Sequence, residues 1–292
     1  EEVCEKAAAR GIRVTGTEIV GLVPKGVLVE AGRYFLRKQQ RSLGIPESEV
    51  IKIAVKSLGL DDLKPFDPKE KVIEYLLEDK DCKGLIDLTV KGFARETAGE
   101  SPAPGGGSVA ACMGAFGAAL GTMVANLSSH KAGWDDKWEY YSQFAERGNK
   151  IMNELIHLVD EDTAAFNRIM VAFGMPKTSD EDKRLRSQAI QEATLYATEI
   201  PLKTMEVAYS AFDIIDTMVK EGLPSSVSDA GVGAIALRGA IYGAYLNVMI
   251  NAAGLKDRET AQKLTNRAAG ILEQALQRER EALGGVLATI NE

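Results

Sequence analysis

Apolar residues recur every three or four positions along most of the chain, which is the spacing of one buried face of an α-helix. Beyond residue 84 this pattern predicts helices and no strand. The breaks between them contain glycine or proline, beginning near Gly99, Gly174, Gly222 and Gly254. Pro201 is expected to begin or to kink a helix, because its ring disfavours a regular helix interior. The predicted helices span 85–98, 108–129, 135–173, 180–221, 228–253 and 257–291.

The first 63 residues carry a different pattern. Helical spacing at 2–10 and at 24–41 flanks a β-rich stretch at 12–23. So few residues cannot close a sheet of their own. We therefore interpret this segment as the end of an α/β module.

The run Pro65-Phe66-Asp67-Pro68 interrupts the chain after this segment, and a short connecting helix is predicted at 69–78. The sequence thus predicts a mainly α protein, an all-helical bundle preceded by a small α/β remnant. Its parts are a module end at 1–68, a linker helix at 69–84 and a helical domain at 85–292.

The composition is that of a soluble globular protein. Of 292 residues, 45% are hydrophobic and 26% are charged, which is enough to bury a core. The net charge of −7 and the isoelectric point near 5.2 argue against a nucleic-acid partner or an anionic membrane surface. One basic cluster at helical spacing is interpreted as a solvated helix face; it contains Arg33, Arg37, Lys38 and Arg41.

Cysteine and histidine usage bears on metals and on the compartment. Cys4, Cys82 and Cys112 are far apart and follow no metal-binding spacing, so reduced thiols in the cytoplasm are expected. The only two histidines, His130 and His157, exclude a histidine-rich metal site. We predict no metal, and we interpret His157 as a surface or hydrogen-bonded residue.

The ends and the most apolar stretch bear on targeting. The chain starts with an acidic, amphipathic segment that has neither Met nor the features of a signal peptide, so a fragment of a longer cytoplasmic protein is one interpretation. The uncharged stretch 101–129 is long enough to span a bilayer. It begins with proline and glycine and holds few large aliphatic residues, so no membrane span is predicted.

The glycine-rich run at 101–108 is the most informative local feature. Gly105, Gly106 and Gly107 allow a ligand to approach the backbone closely, and Ser108 stands where a helix N-cap is expected. A helix start offers unpaired N–H groups to an anionic or carbonyl-bearing ligand. No Gly-Lys-Ser/Thr follows, so a nucleotide is not indicated. A tight turn before a closely packed helix remains the structural alternative.

Asp162 lies inside the apolar stripe of a predicted long helix, four residues after Leu158 and four before Phe166. Asp160 and Glu161 are expected to point away from that stripe. A carboxylate on a buried face is costly unless it is paired, and burial raises its pKa towards the range useful for proton transfer. The alternative is a core aspartate held by a salt bridge or a helix cap.

Three further groups are candidates for binding. Asp229 follows several serines at a helix start, where it could equally complement the helix dipole. Asn247 and Asn251 share a stripe with two glycines, which suits either a site or close packing with satisfied amides. Asn126 and Lys131, at the end of the Gly/Ala-rich helix, form a weaker set.

Several motifs resemble the formiminotransferase-cyclodeaminase family, whose cyclodeaminase part this chain is similar to over about 85–285. Residues 1–78 are similar to the C-terminal end of the formiminotransferase module, whose catalytic residues would lie upstream. The motifs are Ser101 to Ala111, Met123-Val124-Ala125-Asn126-Leu127, Asp160 to Phe166, Glu199-Ile200-Pro201-Leu202, Ser228-Asp229-Ala230-Gly231 and Asn247-Val248-Met249-Ile250-Asn251.

The resemblance implies a cyclodeaminase-type helical bundle that forms a homo-oligomer built from dimers, with a folate site at the subunit interface. The implied reaction converts 5-formiminotetrahydrofolate, with or without a polyglutamate tail, to 5,10-methenyltetrahydrofolate and ammonia, without a cofactor. Asp162 is the implied catalytic residue. We expect the turn from Gly105 to Ser108 to hold polar groups of the folate, and Asp229 and Asn251 to orient the pterin.

Two alternatives remain at this point. A methenyltetrahydrofolate cyclohydrolase shares the fold, and the transferase-like segment favours the deaminase over it. A non-catalytic assembly module would use the Gly/Ala stripes for association alone, but it would have no use for Asp162 in a buried stripe. In related sequences a lysine-rich run follows the Gly/Ala helix, whereas this chain has Ser129-His130-Lys131-Ala132-Gly133-Trp134.

Overall fold

The structure is a computed structural model that describes residues 2–77, 84–101 and 103–291. Its N-terminal region is built on the contact between its two longest helices, which pack around Leu28 and Ile51. They approach closely at Gly32, where any side chain would meet the Val50 carbonyl. The helices of this region are α1 (Glu2–Ala8), α2 (Lys25–Lys38), α3 (Glu47–Leu58), α4 (Pro68–Lys71) and α5 (Ile73–Leu77).

The remainder of the described chain is a bundle of long helices, so the predicted helical bundle is confirmed. Short 3-10 turns at Leu85–Asp87, Asp135–Lys137 and Pro224–Ser226 precede three of these helices. The helices are α6 (Val90–Thr97), α7 (Gly106–Ser129), α8 (Trp138–Gly174), α9 (Asp180–Ser210), α10 (Phe212–Glu221), α11 (Val227–Ala252) and α12 (Arg258–Asn291).

The predicted β-rich stretch at 12–23 is wrong. Within the described residues the backbone makes a single isolated parallel bridge, between Val23 and Val72. A strand needs a neighbouring strand for its backbone hydrogen bonds. Ile12 and Val20 are exposed, so their β-forming side chains find no second layer to cover them. The α/β remnant is therefore helical in what the structure describes, and residues 78–83 of the predicted linker lie outside it.

Some helix boundaries also differ from the prediction. The helix expected at 180–221 divides at Ala211, and this turn allows α9 and α10 both to pack on the core. Pro201 lies inside α9 and does not begin it. The sequence pattern missed α3, which follows Pro46 and ends at Gly59 in the left-handed conformation.

The centre of the bundle is the antiparallel pair α7 and α11. Side chains added at Gly117 and Gly233 would lie 3.0 and 3.2 Å from each other's carbonyl oxygens, so these two backbones touch. Helix α8 also runs antiparallel to α7, with Leu155 packed beside Gly114. The N-terminus of α7 therefore meets the C-terminal halves of both α8 and α11.

Among the described residues, two helices could cross a membrane by length and composition alone, at Gly106–Ser129 and Pro224–Ala252. They include the central pair of this bundle, and buried core helices pass the same test. Both helices nevertheless keep one exposed apolar face. Its side chains are Phe116, Met123, Leu127, Val232, Ile235, Tyr242, Leu246, Met249 and Ile250.

Candidate active site

Asp162 projects from α8 onto the first turn of α7. Its Oδ2 accepts a hydrogen bond of 2.9 Å from the Ser108 hydroxyl, and the Ser108 backbone N–H also donates to its carboxylate. The first N–H groups of a helix have no partner within the helix and carry a partial positive charge. The carboxylate of Asp162 therefore occupies the place of a cap for α7, although it lies 54 residues further along the chain.

Ser108 is not the N-cap of α7, which corrects the prediction. Gly105 takes that position with extended backbone and no capping side chain, and Ser108 is the third residue of the helix. It is fully buried, and its hydroxyl is turned towards α8. A carboxylate far away in the chain can cap a helix in place of a local side chain, and the sequence around the helix start gives no sign of it.

The glycines make this contact possible. A Cβ on Gly107 would lie 2.0 Å from Oδ1 of Asp162, so any side chain there would displace the carboxylate. A Cβ on Gly106 would lie 3.4 Å from Nδ2 of Asn247, close to ordinary contact. The glycine-rich run thus serves the approach of α7 to α8 and α11.

Burial raises the pKa of Asp162 above its ordinary value, and the two hydrogen bonds from Ser108 only partly oppose this effect. A carboxylate with a raised pKa is a better proton carrier near neutral pH than an exposed one. The side chain retains partial solvent exposure, so it is accessible to a ligand. The sequence analysis placed Asp162 on a buried face, and its side chain is indeed only partly exposed. The contact with Ser108 at the start of α7 also matches the structural alternative, an aspartate held as a helix cap.

Two predicted amides lie towards the same end of the bundle. Asn247 lies beside Gly106 and donates to the carbonyl of Gly243, one turn earlier. Asn251 donates to the Ala197 carbonyl at 2.6 Å and so joins α11 to α9. Each Nδ2 therefore has a backbone acceptor.

The two acidic neighbours of Asp162 do point elsewhere. Asp160 accepts the Leu85 backbone N–H at 2.7 Å and thereby fixes the segment before α6 to α8. Glu161 accepts the Tyr196 hydroxyl, and Arg168 and His157 lie nearby at 3.8 and 3.4 Å. Sequence reasoning missed both of these anchoring roles, because their partners are far away in the chain.

The remaining predicted residues lie at the opposite end of the bundle. Asn126 is 18 residues beyond Ser108 on α7, which is about 27 Å along the axis at about 1.5 Å per residue. Asp229 is equally far before Asn247 on α11. Lys131 lies beyond the end of α7 with its ammonium 4.1 Å from the Trp134 ring centre. A single protomer does not bring these three to Asp162.

The N-terminal region docks at this opposite end through the segment 42–45. Asn126 donates to the Gly44 carbonyl at 3.0 Å, and the Ser42 backbone N–H donates to His130 Nε2 at 3.1 Å. The Leu43 N–H donates to the Ser142 hydroxyl at 2.9 Å. Burial, with help from nearby Arg41, lowers the pKa of His130, which favours the neutral acceptor form that this contact needs.

A cleft of about 380 Å³ lies beside Lys131 and is lined by Trp134, Lys137, Tyr140, Tyr141 and Glu221. It is at the docking end, away from Asp162. Within the described residues no group of three or more His, Cys, Asp or Glu side chains is placed to hold a metal ion. The polar groups beside Asp162 are the Ser108 hydroxyl and the N-terminus of α7, with the Asn247 amide next to Gly106.

Fold and site together define a class: an all-helical domain that places a partly buried carboxylate at a helix N-terminus and carries the end of a second module. The family model described as formiminotransferase-cyclodeaminase matches residues 89–270, and that of the formiminotransferase domain matches residues 1–78. The chain belongs to the formiminotransferase-cyclodeaminase family.

Curated relatives agree with this assignment. Formimidoyltransferase-cyclodeaminase of Gallus gallus is 35% identical over 95% of this chain and 51% of its own length. The Mus musculus protein of the same name is 34% identical, over 98% of this chain and 53% of its own length. The chain thus spans about half the length of these relatives.

Two smaller proteins match about two thirds of the chain. Methenyltetrahydrofolate cyclohydrolase of Methylorubrum extorquens is 35% identical over 64% of this chain and 90% of its own length. The crystal structure of formiminotetrahydrofolate cyclodeaminase from Thermotoga maritima aligns with a TM-score of 0.59 at 25% identity. That alignment covers 68% of this chain and 98% of the other.

Proposed function

We propose that this chain is a formimidoyltetrahydrofolate cyclodeaminase, which closes 5-formiminotetrahydrofolate to 5,10-methenyltetrahydrofolate and releases ammonia. The observation that carries the proposal is Asp162, a carboxylate of raised pKa held at the N-terminus of α7. The family and the Thermotoga maritima structure support the choice of substrate.

The chemistry requires one group that accepts and returns a proton. N10 of the folate attacks the carbon of the protonated formimino group, forms the N10–C bond and gives its proton to Asp162. The carboxyl group returns that proton to the amino nitrogen, the C–N bond breaks and ammonia leaves, with the positive charge remaining on the methenyl product. Positioned acid–base catalysis and the close approach of N10 supply the rate enhancement. No step in this sequence calls for a metal or an organic cofactor.

We place the second half of the substrate site on a second copy of the chain. The exposed face of α7 and α11 is mainly apolar, and these two helices carry only two charged residues, Asp229 and Arg238, of which Arg238 is paired with Glu279. Such faces mark association surfaces. An antiparallel pairing through it would carry Lys131 and Asp229 of one copy towards Asp162 of the other, while the Asn126 amide stays bound to the Gly44 carbonyl. Sedimentation tests this pairing: a 31.5 kDa monomer at micromolar concentration contradicts it.

A cyclohydrolase is the second candidate, because the Methylorubrum extorquens enzyme of that name matches over 90% of its length. The formiminotransferase domain match at residues 1–78 favours the deaminase. The purified chain is tested with 5-formiminotetrahydrofolate for ammonia release and for the near-ultraviolet absorbance of the methenyl product, and separately for methenyl hydrolysis. Hydrolysis without ammonia release would select the second candidate.

A further inference from the structure

A second hydroxyl lies behind the pair formed by Ser108 and Asp162. Thr163, the next residue on α8, places its Oγ1 3.2 Å from the Ser108 Oγ, while Ser108 lies 2.9 Å from Oδ2 of Asp162. The three side chains form a continuous chain of polar atoms, and its middle member is fully buried. Two adjacent residues of α8 thus hold one serine of α7 from both sides.

The direction of these hydrogen bonds follows from proton counting. An ionised carboxylate accepts and cannot donate, and a serine hydroxyl has a single proton. When Asp162 is ionised, the proton of Ser108 is committed to it, so Thr163 must donate to the Ser108 oxygen. Hydrogen bonds linked in this way polarise one another, and each strengthens the next.

We propose that Thr163 is a positioning residue that acts on Asp162 through Ser108, fixing the serine hydroxyl as a donor and the carboxylate in one orientation. The inference rests on the proposed function only for its kinetic consequences. Sequence analysis assigned Ser108 to the folate and did not consider Thr163. In the structure the hydroxyls of Ser108 and Thr163 form one line of hydrogen bonds to the Asp162 carboxylate.

Neighbouring charges do not account for the state of Asp162. On α8, Asp160 and Glu161 have partners of their own on other elements. On α7, the titratable group nearest in sequence is Cys112, whose thiol has a pKa raised by burial and stays neutral. The helices α9 and α11 contribute Tyr196, which bonds to Glu161, and the uncharged amide of Asn247. Burial and Ser108 are the causes that act on its pKa.

The experiment replaces Thr163 by valine, which keeps its shape without the hydroxyl, and by serine, which keeps the hydroxyl. The carboxyl carbon of Asp162 is titrated by ¹³C NMR in the full chain without substrate, with Asp162→Asn identifying its signal. In Thr163→Val we expect the Asp162 carboxylate to lose part of its stabilisation, so it titrates at higher pH than in the wild type. Thr163→Ser restores the wild-type titration.

Turnover provides a second readout. In Thr163→Val the acidic limb of the pH profile moves to higher pH, because Asp162 must be ionised to accept a proton. The kcat falls roughly two- to tenfold, the effect of one lost hydrogen bond, while KM changes less than about twofold.

The NMR titration needs no substrate, so the two claims are tested separately. An inactive wild-type chain would overturn the proposed function, whereas the role of Thr163 is decided by the titration. An unchanged titration of Asp162 in Thr163→Val overturns the inference. So does a Thr163→Ser variant that behaves like valine, because packing rather than the hydroxyl would then be responsible.

Discussion

The two ends of α7 use similar residues for different purposes. At its N-terminus, Ser108 and Asp162 meet where Gly107 leaves room for a carboxylate. At its C-terminal end, Asn126 and the following His130 meet the segment 42–45. Both ends combine polar side chains with a glycine in close contact, and sequence analysis proposed both ends for substrate binding.

The difference lies in what the polar groups contact. At the docking end the side-chain amide and the imidazole bind backbone groups of another segment, and no charge is buried. At the site end a carboxylate is partly withdrawn from water, and its pKa is raised. Polar groups whose hydrogen bonds are satisfied by the protein backbone indicate a structural contact. A partly buried carboxylate with a raised pKa at a helix N-terminus indicates a catalytic site.

The comparison predicts its largest effect at Asp162. Asp162→Asn keeps the shape and an acceptor oxygen for Ser108 but removes the proton acceptor, so kcat should fall by about a hundredfold or more. The matched control is Asp160→Asn, which keeps an oxygen for the Leu85 N–H and should remain active. Both variants are assayed for kcat and for thermal unfolding. An Asp162→Asn enzyme with more than about a tenth of wild-type kcat, or an inactive Asp160→Asn, contradicts the assignment.

Gly107→Ala should damage catalysis more than folding. The new Cβ would lie 2.0 Å from the Asp162 carboxylate, which must turn away, and a displacement of about 1 Å at a catalytic group can cost about a hundredfold in rate. We expect kcat to fall at least about tenfold. Gly106→Ala is the control, since its Cβ would lie 3.4 Å from the nearest side-chain atom. Equal activity of the two alanine variants would show that the carboxylate need not stay in place.

Gly44→Ala should show the reverse pattern at the docking end. Its Cβ would lie 2.2 Å from the backbone of Ala145, which cannot move aside cheaply, so the segment 42–45 must shift. Overpacking of this kind costs about 1–3 kcal/mol of the free energy of unfolding. Urea unfolding measures the loss, with Gly26→Ala as a control at a glycine with open surroundings. A kcat loss larger than that of Gly107→Ala would remove the distinction between the ends.

Sequence periodicity was sufficient for most helices of the bundle and for the position of Asp162 on a buried face, because both depend on local spacing. A stripe of apolar residues marks a buried face of a helix. A carboxylate inside that stripe is energetically costly, so it can be recognised from the sequence spacing alone. The same reasoning placed Asp160 and Glu161 on other faces correctly. It could not find what they bind, since Leu85 and Tyr196 are 75 and 35 residues away.

Long-range contacts explain the remaining differences. The docking bonds of Asn126 and His130 join residues 82 and 88 positions apart, and no local pattern encodes them. The stretch at 12–23 has strand-forming residues, but propensity does not make a strand without a neighbour to pair with. The sequence around Ser108 is typical of a helix N-cap, but in the structure its hydroxyl donates to Asp162 of α8, and this carboxylate takes the place of a cap.

The smallest predicted effect is a pH response of the docking end. Burial lowers the pKa of His130 below its ordinary value of 6.5, so the unfolded chain binds a proton at this residue before the folded chain does. The stability that His130 contributes is therefore present above pH 6.5 and is lost as the pH falls through the lower folded pKa. Asp162 has the opposite sign, because its raised pKa gives a contribution present below the unfolded pKa and lost as the pH rises through the folded one.

The variant His130→Gln separates the pH-dependent stability contribution of His130 from that of Asp162. Glutamine supplies a carbonyl oxygen for the Ser42 N–H but does not titrate, so the variant should lose less stability than the wild type between pH 6.5 and 5. Urea unfolding of both proteins at each pH measures the difference, and Asp162→Asn in the same series removes the opposing term. A wild-type curve parallel to that of His130→Gln would mean that the Ser42 contact survives protonation, and the docking end would then be insensitive to pH.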